Sequence, residues 1–528
     1  MRQVTTENGK ATARGAFLVE YRCRAKLRGP IRVGTGESLS VVTDAPILRD
    51  GLNRPYLPGA GIRGILREFC EREAPLMGIS EQIVTRLFGP SSEALAKAGQ
   101  VLSNVHSTAD QKAAALEQDR QGRLTVLDAA LDDFVTEVRD HVSLSREWGA
   151  TTKGAKFDQE VAHAAAALLV FRYEGDSESD DELRLLRAGL WALQEGALAL
   201  GGKSGWGLGE IAKMAVAETS RERSEAEGLA DYLSARFGGT STDFPSEEKI
   251  QPIEYPHTSA TATSVVARLP PWSWLRLRVR LCFDGPVLIS GPYYGDLECN
   301  EAERKLRLGS DAVYQTRPDG TKILSGSSLR GALQAQARRI SRTLWEVQEE
   351  DDDKVARLLF GHVKRSGTKE RGRRGLLRVG EGTLIGESPP LFIDHVAIDR
   401  VSGFAADTQK FDTVALQSPR FEHTLFLRWN HGNNEEMAAV ALFMFALRDA
   451  ELGWVWVGSR TTRGYGHLRT IGITECVHSV VENGQRLTNK WPTPPISIAA
   501  LAQDPVLKHV LEAWEPPMPT PEVGGADD

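Results

Sequence analysis

The sequence predicts an α+β protein made of two tandem ferredoxin-like domains, and three observations predict it. Four sequence blocks occur twice in the same order: LPGAGIRG at 57–64 and LSGSSLRG at 324–331; LFG at 87–89 and 359–361; HVSLSREWGATTKGAKFDQEVA at 141–162 and HVAIDRVSGFAADTQKFDTVA at 395–415; GGKSGWGLGE at 201–210 and GSRTTRGYGH at 458–467. Within each copy the expected elements run β-α-β, insertion, α, glycine loop, β, the order of a ferredoxin-like domain. Each copy spans roughly 200 residues, too long for a solenoid repeat and long enough to own a core.

The elements follow from the residues. In AFLVEYRCRAKLR (16–28) apolar and polar residues alternate, as in a half-buried strand. The second copy opens on WSWLRLRVRLCF, with Leu275, Leu277, Val279 and Leu281 on one face and Arg276, Arg278 and Arg280 on the other. That arginine face suits either phosphates or the solvent side of an edge strand. A turn and helix come next. Gly59, Ala60 and Gly61 precede the first helix, and Ser327 and Ser328 are N-cap candidates for its counterpart. Both copies place an arginine, Arg63 or Arg330, in the first helical turn, and Arg67 follows one turn later. A cation there opposes the macrodipole, so a bound anion shared with the free N–H groups is expected. Strands are predicted near 122–128 and 375–380, and second helices over 178–198, with Ser179 and Glu182 as a capping box, and over 434–449. The expected boundaries are a disordered N-terminus at 1–15, domains at 16–215 and 266–480, a linker at 216–265, and a proline-rich tail at 481–528.

Composition narrows the function. The chain has 528 residues and a net charge of −7, which argues against indiscriminate nucleic-acid binding. Charge is nevertheless segregated. KRSGTKERGRRGLLR at 364–378 holds seven basic residues and one acidic, while 174–182, 346–353 and 522–528 are acidic. The basic run suits either a polyanion-binding face or a solvated loop. The five cysteines are scattered without a CxxC pair, so neither a zinc site nor a disulfide framework is expected. No apolar run approaches the ~20 residues of a membrane helix, and the N-terminus has no apolar signal region. A cytoplasmic protein without membrane contact is the expectation.

The glycine loops carry the clearest motif. GGKS at 201–204 looks like part of a P-loop, but Ala197 stands where that motif needs glycine, and a helix precedes the loop instead of following it. Compared as a pair, the loops share Gly201/Gly458, Gly207/Gly464 and Gly209/Gly466, with Lys203, Arg460 and Arg463 beside them. Glycines at alternate positions permit close backbone approach, and the cations suit a phosphate.

These blocks resemble the RAMP superfamily of CRISPR systems. More narrowly, they resemble the backbone (group 7) subunit of type III effector complexes, and two copies in one chain resemble the fused double subunits of type III-D. LSGSSLRG, LFG, AIDRVSG and RGYGHL carry the likeness in the second copy; the first is looser, with Ser145 at the place of Asp399 and Trp206 at that of Arg463. The resemblance implies an RRM-like core, a guide CRISPR RNA, a complementary target RNA and other type III subunits as partners, and a β-hairpin thumb that kinks the duplex. It implies metal-dependent cleavage of target RNA by a loop aspartate, with Mg²⁺ or Mn²⁺ as cofactor. Asp44 and Asp311 each lie 13 residues before the turn, at Leu57 and Leu324, and are the expected catalytic and metal-binding residues. Without the resemblance, Asp44 reads as an Asx-turn residue, and the Ala-Val context of Asp311 departs from the family's Asp-x-Pro.

The resemblance further implies RNA contacts at Gly59, Gly61, Arg63, Arg67, Lys203, Gly207, Ser327, Ser328, Arg330, Arg460, Arg463 and Tyr465. In the thumb it implies duplex contacts at Arg146, Arg400, Lys156 and Lys410, with Trp148 as a wedge or as core. His141 and His395 read as acid/base groups or as structural ones. Two rival functions stand beside this one: an inactive structural backbone subunit, and a metal-independent endoribonuclease that processes guide RNA.

Overall fold

A computed structural model describes residues 17–36, 43–103, 108, 122–144, 151–176, 180–222, 253–254, 256, 272–291, 310–345, 353–362, 372–482, 485–490 and 497–513. In the first unit β1 (Phe17–Leu27) leads to α1 (Gly59–Glu73), α2 (Glu81–Phe88) and α3 (Ser92–Ser103). Short strands β2 (Leu124–Val126) and β3 (Ala129–Asp132) precede the hairpin of β4 (Val135–Leu144) and β5 (Thr151–His163). β6 (Ala166–Gly175), α4 (Asp181–Gln194) and β7 (Ile211–Glu222) complete the unit.

The second unit repeats the path. β8 (Trp272–Asp284), α5 (Gly326–Trp345) and α6 (Lys354–Phe360) precede β9 (Leu377–Val379) and β10 (Gly382–Leu384). The hairpin strands are β11 (Pro390–Ile398) and β12 (Ala405–Gln417). β13 (Arg420–Asn430), α7 (Asn434–Glu451), β14 (His467–Glu482) and β15 (Gln485–Lys490) follow, then α8 (Ile498–Leu501) and α9 (Pro505–Ala513).

Both main sheets are antiparallel with equivalent order. β3 and β2 pair with β6, β6 with β1, and β1 with β7; likewise β10 and β9 pair with β13, β13 with β8, and β8 with β14. This is the ferredoxin-like arrangement: the first strand lies centrally between the third and fourth. One face of each sheet packs on its helices. Tyr21 and Cys23 meet Leu66, Cys70 and Leu186 in the first core; Leu277, Val279, Leu333, Phe443 and Leu447 form part of the second. Among the described residues no helix is long and apolar enough to cross a membrane.

The structure moves several expected boundaries. β7 runs to Glu222, paired with Phe17 at the start of β1, so the first unit extends past 215. The tail is not loose from 481 onward: β15 pairs with β14, and Ile498, Leu501, Leu507 and Val510 are buried in the second core. The prolines flank this stretch and mask its helical spacing of apolar residues. Asp180, not Ser179, precedes α4, and Glu182 is buried against Arg86 and Arg123. α5 starts at Gly326, so Ser327 and Ser328 lie inside its first turn, their hydroxyls 3.3 and 2.7 Å from Ser325 Oγ.

The arginine face of β8 lies on a central strand, not an edge, and the first unit covers part of it. Arg276 donates to the Glu195 carbonyl and Arg378 to that of Gly196 at 2.7 Å. Trp191 packs at a tilt against Trp274, which stacks on Phe426. Beside them Glu381 accepts from Arg139 across the joint (2.6 Å) and from Arg317 (2.7 Å). Burial alone raises the pKa of Glu381, but these guanidinium groups overcome it and hold the carboxyl down at about 2.

Candidate functional site

The repeated hairpins share one register. Asp140, His141 and Val142 face Asp158, Phe157 and Lys156; Asp394, His395 and Val396 face Asp412, Phe411 and Lys410. Lys156 and Lys410 are exposed, each 3.6 Å from a cross-strand carboxylate, Asp140 or Asp394. Arg400 is exposed at the turn of the second hairpin. Arg146 and Trp148 lie outside the described residues, as does 363–371 of the basic run.

The expected loop aspartates meet these hairpins. Asp44 N–H donates to Asp158 Oδ1 (2.7 Å), and Asp158 N–H donates back to Asp44 Oδ2 (3.1 Å). In the second unit Asp311 N–H donates to Asp412 Oδ1 (2.8 Å), and Asp412 N–H to Asp311 Oδ2 (3.0 Å). Asp44 and Asp311 are exposed; their partners are half-buried. Thr43 Oγ1 also donates to Asp158 Oδ1, at 2.6 Å. That hydroxyl and the Asp44 N–H hold the Asp158 carboxyl below its ordinary range. An Asx turn at Asp44 is excluded, because its acceptor would need the N–H two residues on, and that residue is Pro46. Asp158 and Asp412 were not singled out from the sequence, although the recurrence of the aspartate in KFD at both copies was the available signal.

The glycine loops supply cations beside these carboxylates. Their backbones match: φ is 56° at Lys203 and 61° at Arg460, 80° at Gly207 and 84° at Gly464, 71° at Gly209 and Gly466. The glycines answer a packing need. A Cβ on Gly201 would meet Arg32 O at 2.4 Å, and one on Gly458 would meet Leu288 O at 2.6 Å. Arg460 and Arg463 lie over the Phe411 ring at 4.5 and 5.1 Å. Burial and then Arg463 lower the Arg460 pKa, while Asp311 opposes them. Lys203 lies over Trp206 at 4.5 Å; burial, Arg32 and Arg330 lower its pKa. Arg32 in turn donates to Ala45 O (3.3 Å), next to Asp44. Each unit therefore gathers like charges close to its loop aspartate, an arrangement that a phosphate relieves.

Other expected contacts have different partners. Arg63 donates to the Phe88 carbonyl and Arg330 to that of Phe360. These carbonyls end α2 and α6, where Gly89 (φ 72°) and Gly361 (φ 74°) turn the chain away and the arginine becomes their donor. Arg67 bonds the carbonyls of Gly89 and Pro90, both at 3.1 Å. The LFG block is thus a clasp for the helix, and an anion is not needed to explain these arginines. Gly59 donates to Asp128 Oδ1 (2.8 Å), and a Cβ there would meet Val126 O at 2.2 Å; Gly61 is open. Tyr465 is buried, with its hydroxyl 2.9 Å from His395 Nε2 and 3.1 Å from Thr413 Oγ1, so it props the hairpin and offers no surface to RNA.

The histidines are packing groups. His141 stacks on Phe157 and leans on Trp206; His395 stacks on Phe411 and leans on Tyr465. Burial, then Arg139 and Lys203, push His141 down to about 4, and burial, Arg460 and Arg463 also lower His395. Both are neutral near pH 7.

No curated protein matches the chain. A family model, that of the RAMP superfamily, matches residues 24–212 and again 281–469, one match on each ferredoxin-like unit. With two matched units covering most of the chain, the protein belongs to the RAMP superfamily and is a double member of it.

Proposed function

We propose that this protein is a guide-RNA-binding backbone subunit of a type III CRISPR effector complex and cleaves complementary target RNA at two sites, one per unit. One observation carries the reading. Both units present an exposed loop aspartate tied to the hairpin in the same reciprocal geometry and near cations: Arg460 of the glycine loop at Asp311, and at Asp44 the guanidinium of Arg32, which in turn neighbours Lys203 of the glycine loop. Membership of the superfamily makes RNA the polyanion. Asp44 and Asp311 are the groups that act on the target, and Lys203, Arg460 and Arg463 hold phosphates.

Mg²⁺ or Mn²⁺ fits this donor set. Among the described residues no group of three or more His, Cys, Asp or Glu forms a metal cage. Mg²⁺ at a phosphodiester needs only one or two carboxylates, with phosphate oxygens and water completing its shell. Asp44 in the first unit and Asp311 in the second would hold it, and a cation bound there would neutralise charge on the phosphate. The residues themselves orient the strand: the cations fix the backbone, and the hairpin sets the angle at which the target passes the carboxylate.

The joint between units supports a role inside an assembly of RAMP units. The second unit covers Glu195, Gly196 and Gly207 of the first. The equivalent face of the second unit, with Leu452, Trp454, Trp456 and Gly464, is exposed and suits a neighbouring RAMP unit.

The test is Asp44→Asn and Asp311→Asn, singly and together, in the assembled complex with guide and labelled target. Each single variant should remove a different cut, with guide binding unchanged, and the double should remove both. A full set of cuts from the double variant would leave a structural backbone subunit in place of a nuclease.

A further inference from the structure

We propose that Asp158 and Asp412 are positioning residues, which lock the backbone of Asp44 and Asp311 and so aim their carboxylates. The inference rests on the cleavage reading above and adds to it the groups that make a loop carboxylate act as a rigid one.

A loop aspartate starts with a precision problem. A reacting group must be held within roughly 0.5 Å and 10–20°, and loops do this poorly without locking contacts. Asp44 cannot lock itself, because Pro46 removes the N–H that an Asx turn uses. The lock comes from 114 residues away, where one Asp158 oxygen accepts from both Asp44 N–H and Thr43 Oγ1, and Asp158 N–H returns a bond to Asp44 Oδ2. The flanking loop is pinned to the same strand: Glu160 N–H donates to Ala45 O (3.1 Å), and Ile47 N–H to Glu160 Oε2 (3.0 Å).

The second unit reaches the same clamp by another route. It lacks the proline, having Ala312 and Val313 after Asp311, and these pair in parallel with Thr413 and Val414. The reciprocal bonds between Asp311 and Asp412 are nonetheless within 0.1 Å of those in the first unit (2.8 and 3.0 Å against 2.7 and 3.1 Å). Different local sequence with one clamp geometry points to the clamp as the retained feature. It engages Oδ2 of each loop aspartate, and among the described residues no hydrogen bond occupies Oδ1.

The experiment pairs Asp158→Ala with Asp158→Asn, and Asp412→Ala with Asp412→Asn, in the assembled complex with guide and target RNA. Two readouts are taken: the cuts, and deuterium uptake of the peptide carrying residues 43–48 or 310–315. Asp158→Ala should speed exchange at 43–48 and slow the Asp44-dependent cut about 10–100-fold, while the Asp311-dependent cut in the same chain stays at its wild-type rate. Asp158→Asn keeps an amide oxygen as acceptor, so exchange and cutting should stay within a few-fold of wild type. Wild-type exchange and cutting in the alanine variant would overturn the inference. So would equal losses in the alanine and asparagine variants, since that would make the carboxylate charge itself the working feature. Asp44→Asn is assayed in parallel. If it removes its cut while Asp158→Ala does not, only the positioning role falls; if it leaves the cut intact, the cleavage reading falls and takes the positioning role with it.

Discussion

At the scale of the residue, Arg63 and Arg330 show how one charge serves two readings. An arginine in the first turn of a helix suggests an anion, yet each guanidinium completes the end of a neighbouring helix instead. Removing it strands a carbonyl at the LFG turn. Arg63→Ala and Arg330→Ala should therefore each cost about 1–3 kcal/mol of stability, read as a lower urea midpoint, and should leave the salt dependence of RNA binding unchanged. A shallower salt slope with an unchanged midpoint would return these residues to phosphate binding. Tyr465 carries the same lesson. Beside a glycine loop it reads as a stacking residue, while its hydroxyl in fact bonds His395 and Thr413.

At the scale of the element, the two glycine loops are one structure in two settings. Gly207 and Gly464 have nearly the same φ, 80° and 84°, so alanine at either is strained; that strain is about 1–2 kcal/mol. Their surroundings differ. A Cβ at Gly207 would meet Gly380 Cα and Val379 O, both at 2.4 Å, whereas nothing lies within 4 Å at Gly464. Gly464→Ala should then show the strain alone. Gly207→Ala should lose more and should loosen the joint, measured as faster proteolysis between the units. Equal losses at both positions would mean that the joint does not depend on this contact.

At the scale of the whole molecule, acid should act on the joint. His141, His163 and His423 are each pushed from 6.5 down to about 4, chiefly by burial. His163 lies 3.1 Å from Glu137 of the joint's charge network, and His423 Nδ1 is 2.9 Å from the Gly380 carbonyl that flanks Gly207. A lowered pKa means that the unfolded chain binds more protons, so this stability is complete above about pH 6.5 and is lost as pH falls toward 4. With three such groups the slope should approach ~4 kcal/mol per pH unit within that window. Glu381, held at about 2 against an ordinary 4.5, withdraws its own share as pH falls below 4.5. Urea unfolding at steps from pH 7.5 to 4 should show a midpoint that is flat above 6.5 and then falls; a flat midpoint down to 4.5 would contradict the assignment.

The sequence by itself determined the duplication, the order of elements and the ferredoxin-like class, because hydrophobic period and repeated turn residues are local properties that a chain displays without folding. Through the family resemblance it also singled out Asp44 and Asp311 as loop aspartates ahead of each first helix, and the structure finds both exposed. Only the tertiary structure decided what those loops touch. Asp158 is 114 residues from Asp44 and Asp412 is 101 from Asp311, and no local pattern reports a hydrogen bond across such separations. The same holds for Arg276, Arg378 and Gly207: a polar strand face and a glycine turn look the same whether water, RNA or another domain covers them. Burial against the other unit, a property of the assembled chain, decided which of these residues build the joint and which remain open to a ligand.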